Sequence, residues 1–186
     1  MYIALLALMT ASGVLLAVTF TLGLTLDGQD ALYSHFLLGF SSVVTNCFVH
    51  VLAMFYLIGT GVDIREAVEE DAELTAKFVP LTRQFKRRLF PPATLSIAFV
   101  ILAALLGGEV HSRIVDNYIG AGQSGPMAIR ELTGWWVHGL VVLIALAVQA
   151  WAFVTEVRVV RENRAVILEI NAALQEKPDE AARAGT

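Results

Sequence analysis

Four stretches of this chain carry no charged side chain, and nothing else in the sequence limits its fold so sharply. They are residues 1–26, 31–62, 89–108 and 132–155, and the Asp, Glu, Lys and Arg residues lie between and beyond them. A helix needs about 20 apolar residues to cross roughly 30 Å of hydrocarbon, and each run meets that requirement. The balance of residue types agrees. Of 186 residues, 56% are hydrophobic and only 16% are charged, whereas a soluble domain is about a quarter charged. The sequence therefore predicts an all-α, integral membrane four-helix up-and-down bundle, with spans near 2–26, 32–60, 91–111 and 132–156. The first run has no basic leader and no small-residue cleavage site, so it reads as a retained helix rather than a signal peptide.

Charge distribution predicts the orientation. Of thirteen Lys and Arg residues, Arg65, Lys77, Arg83, Lys86, Arg87, Arg88, Arg158, Arg161, Arg164, Lys177 and Arg183 fall on one side of such a bundle. Only Arg113 and Arg130 fall on the other. The basic side is the cytoplasmic one by the positive-inside rule, which places both termini in the cytoplasm, as in a bacterial inner membrane. Trp135, Trp136, Tyr33 and Tyr118 lie near the outer boundary, where an aromatic belt belongs.

Between spans 2 and 3, residues 63–77 suit a short solvated helix, and the basic run Arg83–Arg88 faces anionic headgroups. Pro91 and Pro92 mark the expected start of helix 3. Helix 4 meets no breaker before Lys177 and continues into the cytoplasm, so that residues 1–160 form the membrane domain and 161–186 a helical extension and tail. Val160, Ile167, Ile170 and Leu174 give that extension an apolar stripe, for packing on the inner loop or for a partner subunit.

At 100° per residue, His35, Gly39, Ser42, Asn46, His50 and Ala53 share one side of helix 2. Glu131, Gly134, His138, Ala145, Gln149, Ala152 and Glu156 do so on helix 4. Helix 3 offers Ala93, Ala104, Gly107 and His111, and helix 1 offers Thr10, Gly13, Ala17 and Thr21. Small residues mean close packing. Histidines within spans are costly and face a partner, cavity or cofactor, and all four histidines of the chain fall on these stripes. At 1.5 Å per residue, His35, His111 and His138 converge near the outer leaflet, with Glu109 and Glu131 in reach, and His50 lies deeper.

Three readings follow. The fifteen-residue separation of His35 and His50 on one helical face resembles the histidine spacing of di-haem membrane cytochrome b helices. That resemblance implies haem b on His35 and His50, in an electron-transfer subunit or anchor served by a soluble redox partner; His111 and His138, at the height of His35 on other helices, are the candidate partner ligands. No second helix carries a matching pair, so one outer haem on His35 with His138 or His111 fits better than two. The second reading is a Zn or Cu site on His35, His111 and His138. The third is structural: histidine, Asn46 and Gln149 bonding between helices of a non-catalytic accessory subunit, in a larger complex or a homo-oligomer. A proton relay through Glu131, His138, Gln149 and Glu156 is a variant, although the middle of helix 4 has no acid. No phosphate-binding loop, nucleophile elbow or nucleic-acid patch is present. Cys47 stands alone, without a disulfide partner, and nothing in the chain points to catalysis by it unaided.

The charge asymmetry makes a direct prediction. Alkaline phosphatase fused after Thr186 will be inactive, and the same reporter inserted in the 117–130 segment will be active.

Overall fold

A computed structural model of the chain describes residues 2–26, 28–116 and 134–184, with the side chains of 28 and 177–184 left aside. It is all helical: α1 (Tyr2–Leu24), α2 (Gly28–Ala67), α3 (Ala72–Ile114) and α4 (Trp135–Ala184). Each is long and apolar enough to cross a membrane. Large apolar side chains cover the outside of these helices, among them Phe40 at 65%, Phe55 at 64% and Leu105 at 68% exposure. Water would not tolerate so much apolar surface; lipid suits it.

The extended helices change the expected inner loop. With 40, 43 and 50 residues, α2, α3 and α4 run roughly 60–75 Å, about twice the hydrocarbon thickness. Residues 63–77 are not a separate short helix, and Pro91 and Pro92 do not start helix 3: residues 63–67 end α2, and residues 72–90 form the first half of α3, which continues through Pro80, Pro91 and Pro92. Two causes account for this. The apolar face of that half buries Phe78, Phe85 and Leu89, so packing outweighs the cost of the prolines. Pro91 and Pro92 also strand only the carbonyls of Arg87 and Arg88, exposed positions where water can bond them.

The α2–α3 connection is correspondingly tight. Asp71 caps α3 by accepting from the backbone N–H groups of Glu73 and Leu74, both at 3.0 Å. The Thr75 hydroxyl donates to the Val68 carbonyl at 2.6 Å, which satisfies the end of α2. α4 passes residue 160 without a break. Its extension packs against the α2–α3 hairpin, burying Val159, Val160, Val166 and Ile170. Leu174 remains exposed. Lys77–Glu169 at 2.7 Å and Arg88–Glu162 at 2.5 Å line the edges. These exposed pairs fix register more than they add stability.

Contacts between consecutive helices run in opposite chain directions. Thr19 meets Ser42 and Gly23 meets His35 across α1–α2, while Ala103 meets His138 and Arg88 meets Glu162 across α3–α4. α2 and α4 touch diagonally in the same direction, through His50 with Gln149 and Thr60 with Asn163. The main core lies toward the hairpin end, from Leu5 and Val49 to Phe78 and Ile170. A smaller cluster of Val100, Ala103 and Ala145, with Val43, Phe99, Val141 and Val142 packed against it, lies in the middle of the other half.

One face was misassigned by spacing. On α1 the buried residues are Leu5, Met9, Ser12 and Thr19, whereas Thr10, Ala17 and Thr21 are exposed. The Thr10 and Thr21 hydroxyls donate to the carbonyls of Leu6 and Ala17 at 2.9 and 2.8 Å. A threonine so satisfied by its own helix needs no partner and can face outward.

Phe78 is 1% exposed at the centre of the hairpin-end core. Phe78→Ala will cost about 3–5 kcal/mol, read as a lower thermal midpoint in detergent. Phe40→Ala, on the outer surface, will move the midpoint far less.

Candidate functional site

The two halves of the bundle hold two different arrangements of histidine. In the half away from the hairpin, His35, His111 and His138 all line one cavity of about 290 Å³. Its walls are overwhelmingly apolar, and Gly39, Gly108 and Gly139 also border it. The volume is near the lower end of ligand-sized sites, roughly 300–1,000 Å³.

His35 and His138 are held in the same way by different helix pairs. The His35 ring lies over Gly23 of α1, where an added Cβ would come within 2.8 Å of Cε1. Its Nδ1 is 3.1 Å from the carbonyl of Thr19, four residues before that glycine. The His138 ring lies over Gly107 of α3, again with 2.8 Å between a hypothetical Cβ and Cε1. Its Nδ1 is 3.0 Å from the carbonyl of Ala103, also four residues before the glycine. A carbonyl oxygen can only accept, so each Nδ1 carries the proton and each Nε2 presents a lone pair. Among the described residues, neither Nε2 has a hydrogen-bond partner. An imidazole anchored through Nδ1–H with Nε2 unengaged is prepared as a metal ligand.

His111 differs. Its ring stacks on Phe36 at 4.5 Å between centroids and meets the edge of Tyr33 at 5.7 Å. Its Nδ1 is buried without a partner among the described residues. His35 lies within electrostatic reach of both His111 and His138. Glu109 turns outward to Arg113, at 2.8 Å, and Glu131 lies outside the described residues.

His50 is removed from this group. Fully buried, it spans from α2 to α4 with Nδ1 2.5 Å from Glu156 Oε1 and Nε2 3.1 Å from Gln149 Oε1. The Ser96 hydroxyl donates to the same Gln149 oxygen. With both ring nitrogens bonded to protein, His50 has no lone pair to offer, so the structure does not present it as a cofactor ligand. Nor are three imidazoles gathered around a point: among the described residues, no cluster of three or more His, Cys, Asp or Glu side chains is placed to hold a metal ion. This geometry counts against the three-histidine Zn or Cu site on His35, His111 and His138.

Spacing could identify the histidines and their faces but not what each faces. Gln149 and Glu156 stand on the predicted face of α4; their pairing with His50 depends on the relative height of α2 and α4. The seats at Gly23 and Gly107 were likewise hidden, since they depend on the rotation of neighbouring helices. No family model, curated protein or solved structure matches this chain.

Gly107→Ala will displace the His138 ring from its bond to Ala103, because the new methyl is fixed to the α3 backbone. Nitrogen-15 NMR of labelled protein will report the Nδ1–H tautomer for His35 and His138, with only the His138 signals altered in the variant.

Proposed function

We propose that this chain is an integral membrane subunit that binds one haem b between His35 and His138 and carries single electrons. The observation that carries this reading is the matched pair of seats: two imidazoles on α2 and α4 that line one apolar cavity, each anchored through Nδ1 to a carbonyl of the neighbouring helix, with Nε2 free of a hydrogen bond among the described residues. Histidines bonded in this way through the other ring nitrogen would set both the affinity for haem iron and its potential. The residues suit a flat macrocycle. Gly39, Gly108 and Gly139 keep the walls low, and a Cβ added at Gly108 or Gly139 would touch nothing within 4 Å. His111 borders the same space with an unsatisfied Nδ1, suited to a polar haem substituent.

In this reading the four helices cross a bacterial inner membrane up and down, with both termini, the α2–α3 hairpin and the α4 extension in the cytoplasm. The cavity then opens into the outer half of the bilayer. Haem supplies one-electron chemistry, and the protein contributes orientation, axial bonds and a dry surround. Electrons would be exchanged with a soluble redox partner or with other subunits of a membrane complex.

An optical spectrum of the purified protein decides the matter. A reducible Soret band with sharp α and β bands is expected. His35→Ala and His138→Ala should each abolish or shift it, and His50→Gln, which keeps a hydrogen-bonding side chain toward Gln149 and Glu156 and so preserves the helix register, should leave haem content intact. A colourless, iron-free protein, or an unaltered spectrum in both alanine variants, would sink the proposal and favour an accessory subunit without a cofactor.

A further inference from the structure

The half of the bundle below the cavity holds an unusual concentration of polar groups. His50, Glu156, Gln149, Ser96, Asn46 and Ser12 are all at most 4% exposed, although four of the helices' most apolar stretches surround them. Among the described residues, six buried side-chain atoms lack a hydrogen-bond partner. Five belong to this layer: Ser12 Oγ, Asn46 Nδ2 and Oδ1, Gln149 Nε2 and Glu156 Oε2. Unsatisfied buried polar atoms are rare, and where several share a layer, internal water is the usual means of satisfying them. Helix register puts Asn46, Gln149 and Ser96 at one height, with Ser12, His50 and Phe153 about a turn lower. Ser42, Thr19 and Gln149 also border the cavity, so the polar layer reaches its floor.

The hydrogen bonds fix the proton content of the His50–Glu156 pair. Gln149 Oε1 can only accept, so His50 Nε2 carries a proton. A second proton must then lie between Nδ1 and Glu156 Oε1, because two lone pairs would repel at 2.5 Å. The pair is therefore neutral overall, either imidazolium with carboxylate or imidazole with carboxylic acid. Glu156 Oε2 is the one position left for another proton. Among the described residues, those placed beside the pair carry no charge: Gln149 bonds His50 and meets Ser96 of α3, and Phe153 packs on the His50 ring with Gly13 of α1 behind it. Lys86 lies beside Gly61, roughly 16 Å further along α2, and Arg158 is exposed.

We propose that the His50–Glu156 pair is a proton-storing station whose affinity for a further proton rises when one electron enters the cavity above it. The inference rests on the haem reading of that cavity. One electron from a one-electron donor adds a negative charge to an apolar interior. A proton from water that joins Glu156 Oε2 leaves imidazolium beside a neutral carboxyl. The added charge is thereby offset in part within the membrane, where an uncompensated charge is costly. The separation of His50 from the cavity histidines, roughly 20 Å along the helices, sets the size of the coupling. At an effective dielectric near 20, reduction tightens proton binding about fourfold. By linkage the midpoint potential then falls by about 35 mV from the acid to the alkaline limit of the pair's titration, taking ~59 mV per tenfold change.

The test uses the purified haem-bearing protein, reduced with dithionite. The infrared difference spectrum should gain a protonated-carboxyl band on reduction. That band should shift in D₂O and be absent from Glu156→Gln, whose haem spectrum stays unaltered. Redox titration should find the pH-dependent fall in the wild type and a smaller one in the variant. If the haem-bearing wild type gains no carboxyl band, or its potential depends on pH no differently from that of Glu156→Gln, the proton station is overturned and the haem reading stands. A colourless protein overturns both. Should Glu156→Gln fail to fold, the wild-type infrared experiment in H₂O and D₂O decides alone.

Discussion

The bond between His50 and Glu156, 2.5 Å across the diagonal of the bundle, is the interaction on which the arrangement of the helices turns. In an apolar surround a helix satisfies its own backbone, so lipid and backbone bonding leave its height and rotation nearly free. A buried imidazole and a buried carboxylate remove that freedom, since neither tolerates being unpaired. Once His50 meets Glu156 and Gln149, and Ser96 meets the same glutamine, α2, α3 and α4 have one common register. Thr60–Asn163 repeats the constraint one layer lower, and Thr19–Ser42 at 2.7 Å extends it to α1.

That register has consequences at both ends. Toward the hairpin it aligns Phe78, Phe85, Val159 and Val160 into a dense core, which lets α3 run through three prolines. In the other direction it sets Gly23 under His35 and Gly107 under His138. The close approach at those glycines is what brings each imidazole to a carbonyl of the neighbouring helix. The two seats are alike because α1–α2 and α3–α4 repeat the same geometry, a glycine and the carbonyl one turn before it. The rings are thus positioned by backbone, which is more rigid than any side-chain contact.

The two histidine environments differ. His35 and His138 line the cavity and are each tied by one ring nitrogen, whereas His50 is tied by both, one of them to an acid. Gln149 touches both regions, bonding His50 and bordering the cavity.

The sequence by itself determined that there are four helices long and apolar enough to span, because uncharged length is a one-dimensional property. It also determined which side of α2 is buried, since Ser42, Asn46, His50 and Ala53 obey helical spacing and are all buried. It could not determine the face of α1, where Thr10 and Thr21 bond their own helix, nor the start of α3, where packing of Phe78 and Phe85 outweighed Pro91 and Pro92. It brought four histidines to the interior and set His50 deeper than the other three, but could not determine what each of them faces. Which of them face a cavity and which face an acid depends on the relative height and rotation of separate helices. Those are relations between residues 16 to 106 positions apart on different helices, and only the tertiary structure decided them.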